Sequence, residues 1–214
     1  MPAVYDMLAT IKAKLDAGRA LLYHCARAVD VYKALEDVSR ERKLTAEERA
    51  EMKAYNKLAD SLTPLAKGMN SEYCNQNTYD SLQIHGGSGF MMDYHIQRYA
   101  RDARITSIYE GTTQLQVVAA IRFVMNGAYL AHLRELEQQE VSSEMKELQE
   151  RARKMADSFE AAVERVKAAG VQEYQDICAR HLVEMAADTL MLHLLTYNAT
   201  QAPELFGKSA RVYA

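Results

Sequence analysis

The chain has few of the residues that interrupt helices. Only three of its 214 residues are proline: Pro2, Pro64 and Pro203. With alternating β-branched runs also missing, a sheet-based fold is excluded and an all-α fold is expected. Cysteine is equally scarce. Cys25, Cys74 and Cys178 are odd in number and far apart, which excludes a disulfide framework and reads as reduced thiols in an intracellular protein. The six histidines include no His-x-x-x-His pair and there is no Cys-x-x-Cys, so no metal site is expected. No apolar run reaches membrane-spanning length. The opening "MPAVYDML" has neither the basic nor the apolar region of a secretory leader. Positive charge is not in excess. A formal net charge of −3 gives no general basic field for nucleic acid or an anionic membrane.

What the chain does contain is helical periodicity. Pro2 suits the first turn of a helix. Val4, Met7, Leu8, Ile11, Leu15, Leu22, Cys25, Val29 and Tyr32 follow at three- and four-residue spacings, which predicts one buried stripe. The pattern fades in "LEDVSRERK", read as a charged connection. Thr45-Ala-Glu-Glu48 is a capping box for a second helix, running towards Leu82 or Ile84. Pro64 inside it predicts a kink or break near Ser61–Pro64. A short helix over 94–104 and another from Thr112 or Thr113 to about Asn126 follow, the latter with Leu115, Val118, Ala119, Arg122 and Phe123 at helical spacing. Two or three further helices are expected beyond, with Gly170 closing one of them. No repeat or flexible linker is present. The charged "LRELEQQEVSSE" is the best boundary, dividing a bundle over 1–127 from an extension over 128–214.

One stretch breaks the helical monotony: "QIHGGSGFMMDYHIQRYARDARITSIYEGTTQLQ", Gln83 to Gln116. Three glycines fall within four residues, Gly86, Gly87 and Gly89. They follow a helix rather than a strand and lack Gly-x-Gly-x-x-Gly spacing, so a dinucleotide fingerprint is excluded. No Gly-Lys-Ser/Thr follows, which excludes a Walker loop. On spacing alone the run is a helix-terminating turn. Glycine also lets backbone amides approach a phosphate or ribose closely. "YEGTTQ" places Glu110 just outside a helix N-terminus. There it is either a dipole-stabilised surface carboxylate or a general base beside amides able to bind an anion. "RYARDARI" reads as a solvated face with an Arg–Asp link to a neighbouring helix. No Gly-x-Ser-x-Gly elbow occurs to support Ser/His/Asp hydrolysis.

Taken in order, "LQIHGGSGF", "DYHIQRYARDARI", "IYEGTTQLQ" and "IRFVMNG" resemble the C-terminal signature of the flavin-dependent acyl-CoA dehydrogenases. Each piece is weak alone; the ordered set is specific. The helix from Leu62 to Gln83 and the first helix resemble the bundle that precedes this signature. The likeness is strong over 1–127. Residues 128–214 are similar to the helical extension of long members, such as the methylthiopropionyl-CoA type. The resemblance implies an antiparallel four-helix-bundle fold and α,β-dehydrogenation of an acyl-CoA thioester in lipid β-oxidation. It implies FAD as cofactor and electron-transfer flavoprotein as partner.

By position, Glu110 is implied as the α-proton base. A thioester α-proton is weakly acidic, so such a base must sit close, in a dry site. The backbone amide of Glu110 is implied to meet the thioester carbonyl, with Tyr109 and Gly111 lining the acyl end. Thr112 and Gln114 are implied to contact FAD, and Gln83, Gly86 and Gly87 to reach the FAD of a neighbouring subunit, hence a homodimer or homotetramer. Arg122 is placed on the CoA side. The family's N-terminal helical and β-barrel domains have no counterpart here. The expectation is therefore the C-terminal part of a longer enzyme, inactive in isolation and working in the bacterial cytoplasm, with the mitochondrial matrix as the other setting. The alternative is a non-catalytic helical oligomerisation or interaction module that keeps the signature as structure.

Overall fold

The computed structural model describes all 214 residues as nine α-helices, without a strand. The two longest lie side by side, α1 (Pro2–Glu41) and α2 (Ala46–His85). Then come α3 (Gly87–Phe90), α4 (Ile96–Thr106), α5 (Thr113–Met125) and α6 (Ala128–Leu136). A 3₁₀ turn at Ser143–Met145 leads into α7 (Lys146–Ala169), α8 (Gln172–Gln201) and α9 (Pro203–Tyr213). No helix is long and apolar enough to cross a membrane.

Local chemistry accounts for the ends. Thr45 accepts the Glu48 amide, and the Glu48 carboxylate accepts the Thr45 amide, so the capping box closes in both directions. Arg42 adds a two-pronged bond to the same carboxylate. Gly170 caps α7 at φ 62°, ψ 18°, the left-handed conformation that glycine adopts without a Cβ clash.

Two expectations fail at helix boundaries. "LEDVSRE" is helical to Glu41 rather than a connection. Nothing in it breaks a helix, and Arg40 pairs with Glu36 and Asp37 one turn earlier. Nor does Pro64 break α2, which is continuous past it; of the kink or break expected, only the break is excluded. Pro64 has no N–H for the Asp60 carbonyl. One residue on, the Ser61 carbonyl accepts the buried Tyr129 hydroxyl at 2.6 Å.

The expected stripe on α1 is also only partly buried. Ala13, Ala17, Ala20, Leu21, Cys25 and Ala28 face inward, whereas Leu8, Leu15 and Leu22 are 51, 40 and 49% exposed. Small residues win the inner face because α1 and α2 approach closely. A Cβ on Gly18 would fall 2.2 Å from the Asn70 side-chain oxygen. On α5, Val117, Ala120 and Val124 are buried, whereas Leu115 and Val118 are exposed.

Beyond Asn126 there are four helices rather than two or three, because "AYLAHLREL" forms α6. One continuous core of 32 buried residues joins α1, α2 and α5 to α6, α7, α8 and α9. Helix α8 is its axis. Every residue from Leu190 to Thr196 is buried, the pattern of a helix surrounded by others. Polar contacts fix the arrangement. Arg134 on α6 binds Glu137 and also Asp157 and Glu160 on α7. Tyr73 on α2 donates to Asp188 on α8 at 3.0 Å and meets Tyr213 on α9 at 2.8 Å. Buried Asp16 on α1 is bound by Lys12 and by Ser209 on α9.

Three histidines are enclosed where α1, α6 and α8 lie. His24 and His132 stack with their Nε2 atoms 2.8 Å apart, and His193 Nε2 has no partner. Burial, then the neighbouring His132 and Arg27, holds His24 at about 4; burial, then Arg134 and His132, holds His193 at about 4. Burial also lowers His132. The unfolded chain, with histidines near 6.5, therefore binds more protons than the folded one. Stability from these residues is complete above about 6.5 and is lost as pH falls towards about 4. Thermal unfolding followed from neutral to mildly acidic pH is expected to show a falling Tm, with a shallower slope in His193→Leu.

Candidate functional site

The signature residues occupy two breaks at opposite ends of α4. At the first, α2 stops at Gly86, whose φ 60° and ψ −152° are open to glycine but not to residues with a Cβ. This is a glycine stop, as the spacing predicted, at dihedrals other than those of a left-handed cap. Gly87 begins α3 directly, and Gly89 packs so tightly that a Cβ would lie 2.6 Å from that of His85. Gln83, Gly86 and Gly87 are exposed, and added Cβ atoms on Gly86 and Gly87 would meet nothing within 4 Å. Their backbone is thus open to an approaching group. Beside them lies a cavity of about 700 Å³ lined by Gln83, Tyr79, Gln76, Lys14 and Arg104.

Helix α4 then folds back along α2, from Ile96 near Gly89 to Ser107 near Asn75. The second break is the loop from Ser107 to Thr112. Thr112 caps α5, its hydroxyl accepting the Leu115 amide at 3.3 Å. Gln114 lies exposed in the first turn. Tyr109 and Glu110 are exposed, and Gly111 is half-buried. Gly111 has φ 94°, and a Cβ there would lie 2.7 Å from Gln116 Nε2, so glycine is required twice over. Glu110 is the one non-glycine residue of the chain with positive φ, at 49°. Holding a glutamate there costs about 1–2 kcal/mol, which the surroundings must supply.

Those surroundings are one polar face of α2, which reading the sequence did not single out. Lys67 Nζ donates to the carbonyls of Thr106 at 2.8 Å and Gly111 at 2.7 Å, and lies 5.7 Å from the centre of the Tyr109 ring. Gln116 Nε2 adds a bond to the Gly111 carbonyl. Glu72 accepts the Thr113 hydroxyl at 2.5 Å, and Asn75 reaches Ser107. Gly68 faces Gln116, and a Cβ added there would lie 3.4 Å from that of Gln116, an ordinary contact. Helix α2 carries polar residues along most of its length, so nothing in the sequence set this face apart.

With its carbonyls drawn towards α2, the loop leaves the backbone amides of Glu110, Gly111 and Thr112 without an acceptor in the protein. A carboxylate therefore sits beside unpaired N–H donors at the start of a helix. That set can take a proton and bind a developing or permanent negative charge. The Arg–Asp link expected of "RYARDARI" does not form; Arg98, Arg101 and Asp102 are exposed and Arg104 donates to the Ser107 hydroxyl. Arg122 is exposed on α5 and lies against the Phe123 ring. The two breaks do not converge within one chain. Gln83 is sixteen residues beyond Lys67, roughly 24 Å along α2. Both are ringed by exposed apolar side chains: Phe90, Met91, Met92 and Tyr94 at the first, and Ile105, Ile108, Tyr109, Leu115 and Val118 at the second.

Residues 1–125 match the family model described as "Acyl-CoA dehydrogenase, C-terminal domain", and residues 125–214 match "Acyl-CoA dehydrogenase C terminal". Among curated relatives, the broad-specificity linear acyl-CoA dehydrogenase FadE5 of Mycobacterium tuberculosis is 38% identical over 115 residues, 54% of this chain and 17% of that protein. The caffeyl-CoA reductase-Etf complex subunit CarC of Acetobacterium woodii is 33% identical over 114 residues, 53% of this chain and 24% of that protein. A crystal structure of an acyl-CoA dehydrogenase from Bacillus anthracis complexed with FAD has the same fold, with a TM-score of 0.69 and 21% identity. It spans 100% of this chain, which covers 38% of it. The chain thus covers a quarter or less of those two curated relatives.

The strain at Glu110 has a measurable consequence. Asparagine tolerates the left-handed conformation better than glutamate. Glu110→Asn is therefore expected to leave the chain as stable as wild type, or up to about 1 kcal/mol more stable. Gly111→Ala should destabilise it by about 1–3 kcal/mol. Urea unfolding of the two variants measures both.

Proposed function

The chain belongs to the acyl-CoA dehydrogenase family, and from that premise we propose that it is the base-bearing, flavin-contacting C-terminal part of an enzyme that dehydrogenates an acyl-CoA thioester. The observation that carries the proposal is the pairing of an exposed Glu110 with the unpaired amides of residues 110–112, on a loop whose strained backbone is held from α2. The carboxylate removes the α-proton. The Glu110 amide, having no internal acceptor, is free to meet the thioester oxygen as negative charge develops there. Tyr109 and Gly111 line the acyl end beside it.

The residues present also fit a flavin cofactor. Thr112 leaves the start of α5 open, with Gln114 exposed in its first turn, a favourable place for a pyrophosphate or ribityl chain. Gln83, Gly86 and Gly87 offer bare backbone beside the cavity, whose lining carries Lys14 and Arg104 against one acid, Asp80. When bound, FAD supplies the acceptor for the β-hydride. The distance between the breaks favours different flavins for each, and so a dimer or tetramer in which Gln83 to Gly87 serve a neighbouring subunit. Electron-transfer flavoprotein is proposed as the reoxidising partner, in keeping with the Etf complex named for one relative.

The exposed apolar rings about both breaks are proposed to be covered by the rest of such an enzyme, which would also dry the surroundings of Glu110. On this reading residues 1–127 form the catalytic bundle and 128–214 an extension packed on it.

Two measurements test the reading. The 214-residue chain alone should purify without a flavin absorbance band; a yellow protein bleached by acyl-CoA would contradict that. In the complete flavoprotein, Glu110→Gln should retain FAD and lose at least about 10²–10⁴-fold in kcat, whereas turnover near wild type would place the base elsewhere.

A further inference from the structure

Lys67 has no role in the chemistry described so far, yet its contacts are the most specific in the site. The ammonium is half-buried and donates to two carbonyls on either side of the Glu110 turn, those of Thr106 and Gly111. In a trans peptide the C=O and the following N–H point in opposite directions. A lysine that pulls the Gly111 oxygen towards α2 therefore turns the Thr112 N–H away from α2. It also bridges the end of α4 and the start of α5, so that the intervening residues cannot unwind the positive φ at Glu110. Gln116 holds the same Gly111 oxygen more loosely, at 3.3 Å, and carries no charge to strengthen the bond.

We infer that Lys67 is a positioning residue: it sets the peptide orientation that presents the Thr112 amide and fixes the Glu110 carboxylate, without itself touching substrate. The catalytic part of this inference rests on the proposed dehydrogenase function; the structural part does not. A cation here has an electrostatic side as well. It neutralises carbonyl dipoles that would otherwise oppose negative charge on the loop, so the loop can carry a carboxylate beside an anionic ligand. Lysine and arginine can both donate to two oxygens, whereas methionine keeps the length of the side chain and donates nothing.

The test has two readings. In the isolated chain, Lys67→Met should speed amide hydrogen exchange at Ile108, Tyr109 and Thr113, the loop amides bonded within the chain, by about 10-fold or more while the α8 core stays protected, and Lys67→Arg should restore most of the protection. In the complete flavoprotein, Lys67→Met should lower kcat by about 10²-fold with KM shifted by less than about 3-fold, and Lys67→Arg should recover much of it. Unchanged exchange in Lys67→Met overturns the inference. So does unchanged kcat where Glu110→Gln is inactive. If Glu110→Gln itself keeps wild-type turnover, the dehydrogenase reading fails, and the exchange result alone decides whether Lys67 organises the loop.

Discussion

The loop between α4 and α5 depends on one lysine. A turn that carries a glutamate at positive φ, a glycine at φ 94° and three amides without acceptors is not stable by its own chemistry. What holds it is an ammonium from another helix, placed between two of its carbonyls. The rest of the fold can be understood as the means of placing that group. Helix α2 must be long enough to present Lys67, Glu72 and Asn75 to the loop and still reach Gly86. It must also be packed on its other side, where Leu62, Leu65, Ala66 and Met69 enter the core.

The extension contributes to this packing. Helix α8 runs through the same core as α1, α2 and α5, and the Tyr73–Asp188–Tyr213 cluster links α2 to the two last helices. Burial raises Asp188 despite the two phenols that favour its charge, and it pushes both tyrosines well above their ordinary value. Three interlocked hydroxyl and carboxyl groups in a dry place tolerate few alternative geometries. Arg180 on α8 approaches Glu72, which in turn holds Thr113 beside the loop. The helices after residue 127 thus reach the candidate site through a single side chain of α2.

Much of this was legible in the sequence because it is local. The capping box at Thr45, the glycine stops at Gly86 and Gly170 and the cap at Thr112 each follow from chemistry within a few residues. The ordered signature from Gln83 to Gln116 identified the family from pieces that were ambiguous singly. What could not be read was the choice between faces. Leu8, Leu15 and Leu22 have perfect helical spacing but lie outside, because close approach of α1 and α2 selects the alanine and glycine face. On α5 the spacing of Leu115 and Val118 marked the helix without saying which of its faces is covered. Lys67 was invisible because its partners are backbone oxygens 39 and 44 residues away.

The hydroxyl that Tyr129 offers to the Ser61 carbonyl bears on how the molecule assembles. Pro64 leaves the Asp60 carbonyl without its helical donor, and the next carbonyl, that of Ser61, takes a bond from a residue 68 positions away. The stretch of α2 around Pro64 is therefore braced by a tertiary contact as well as by its own helical bonds. A nascent chain should hold two shorter helices joined at a hinge near Pro64, and the hinge should stiffen only when α6 arrives and the intervening loop closes. Because Lys67 lies immediately beyond that hinge, the loop between α4 and α5 would be organised late, after α6 has docked.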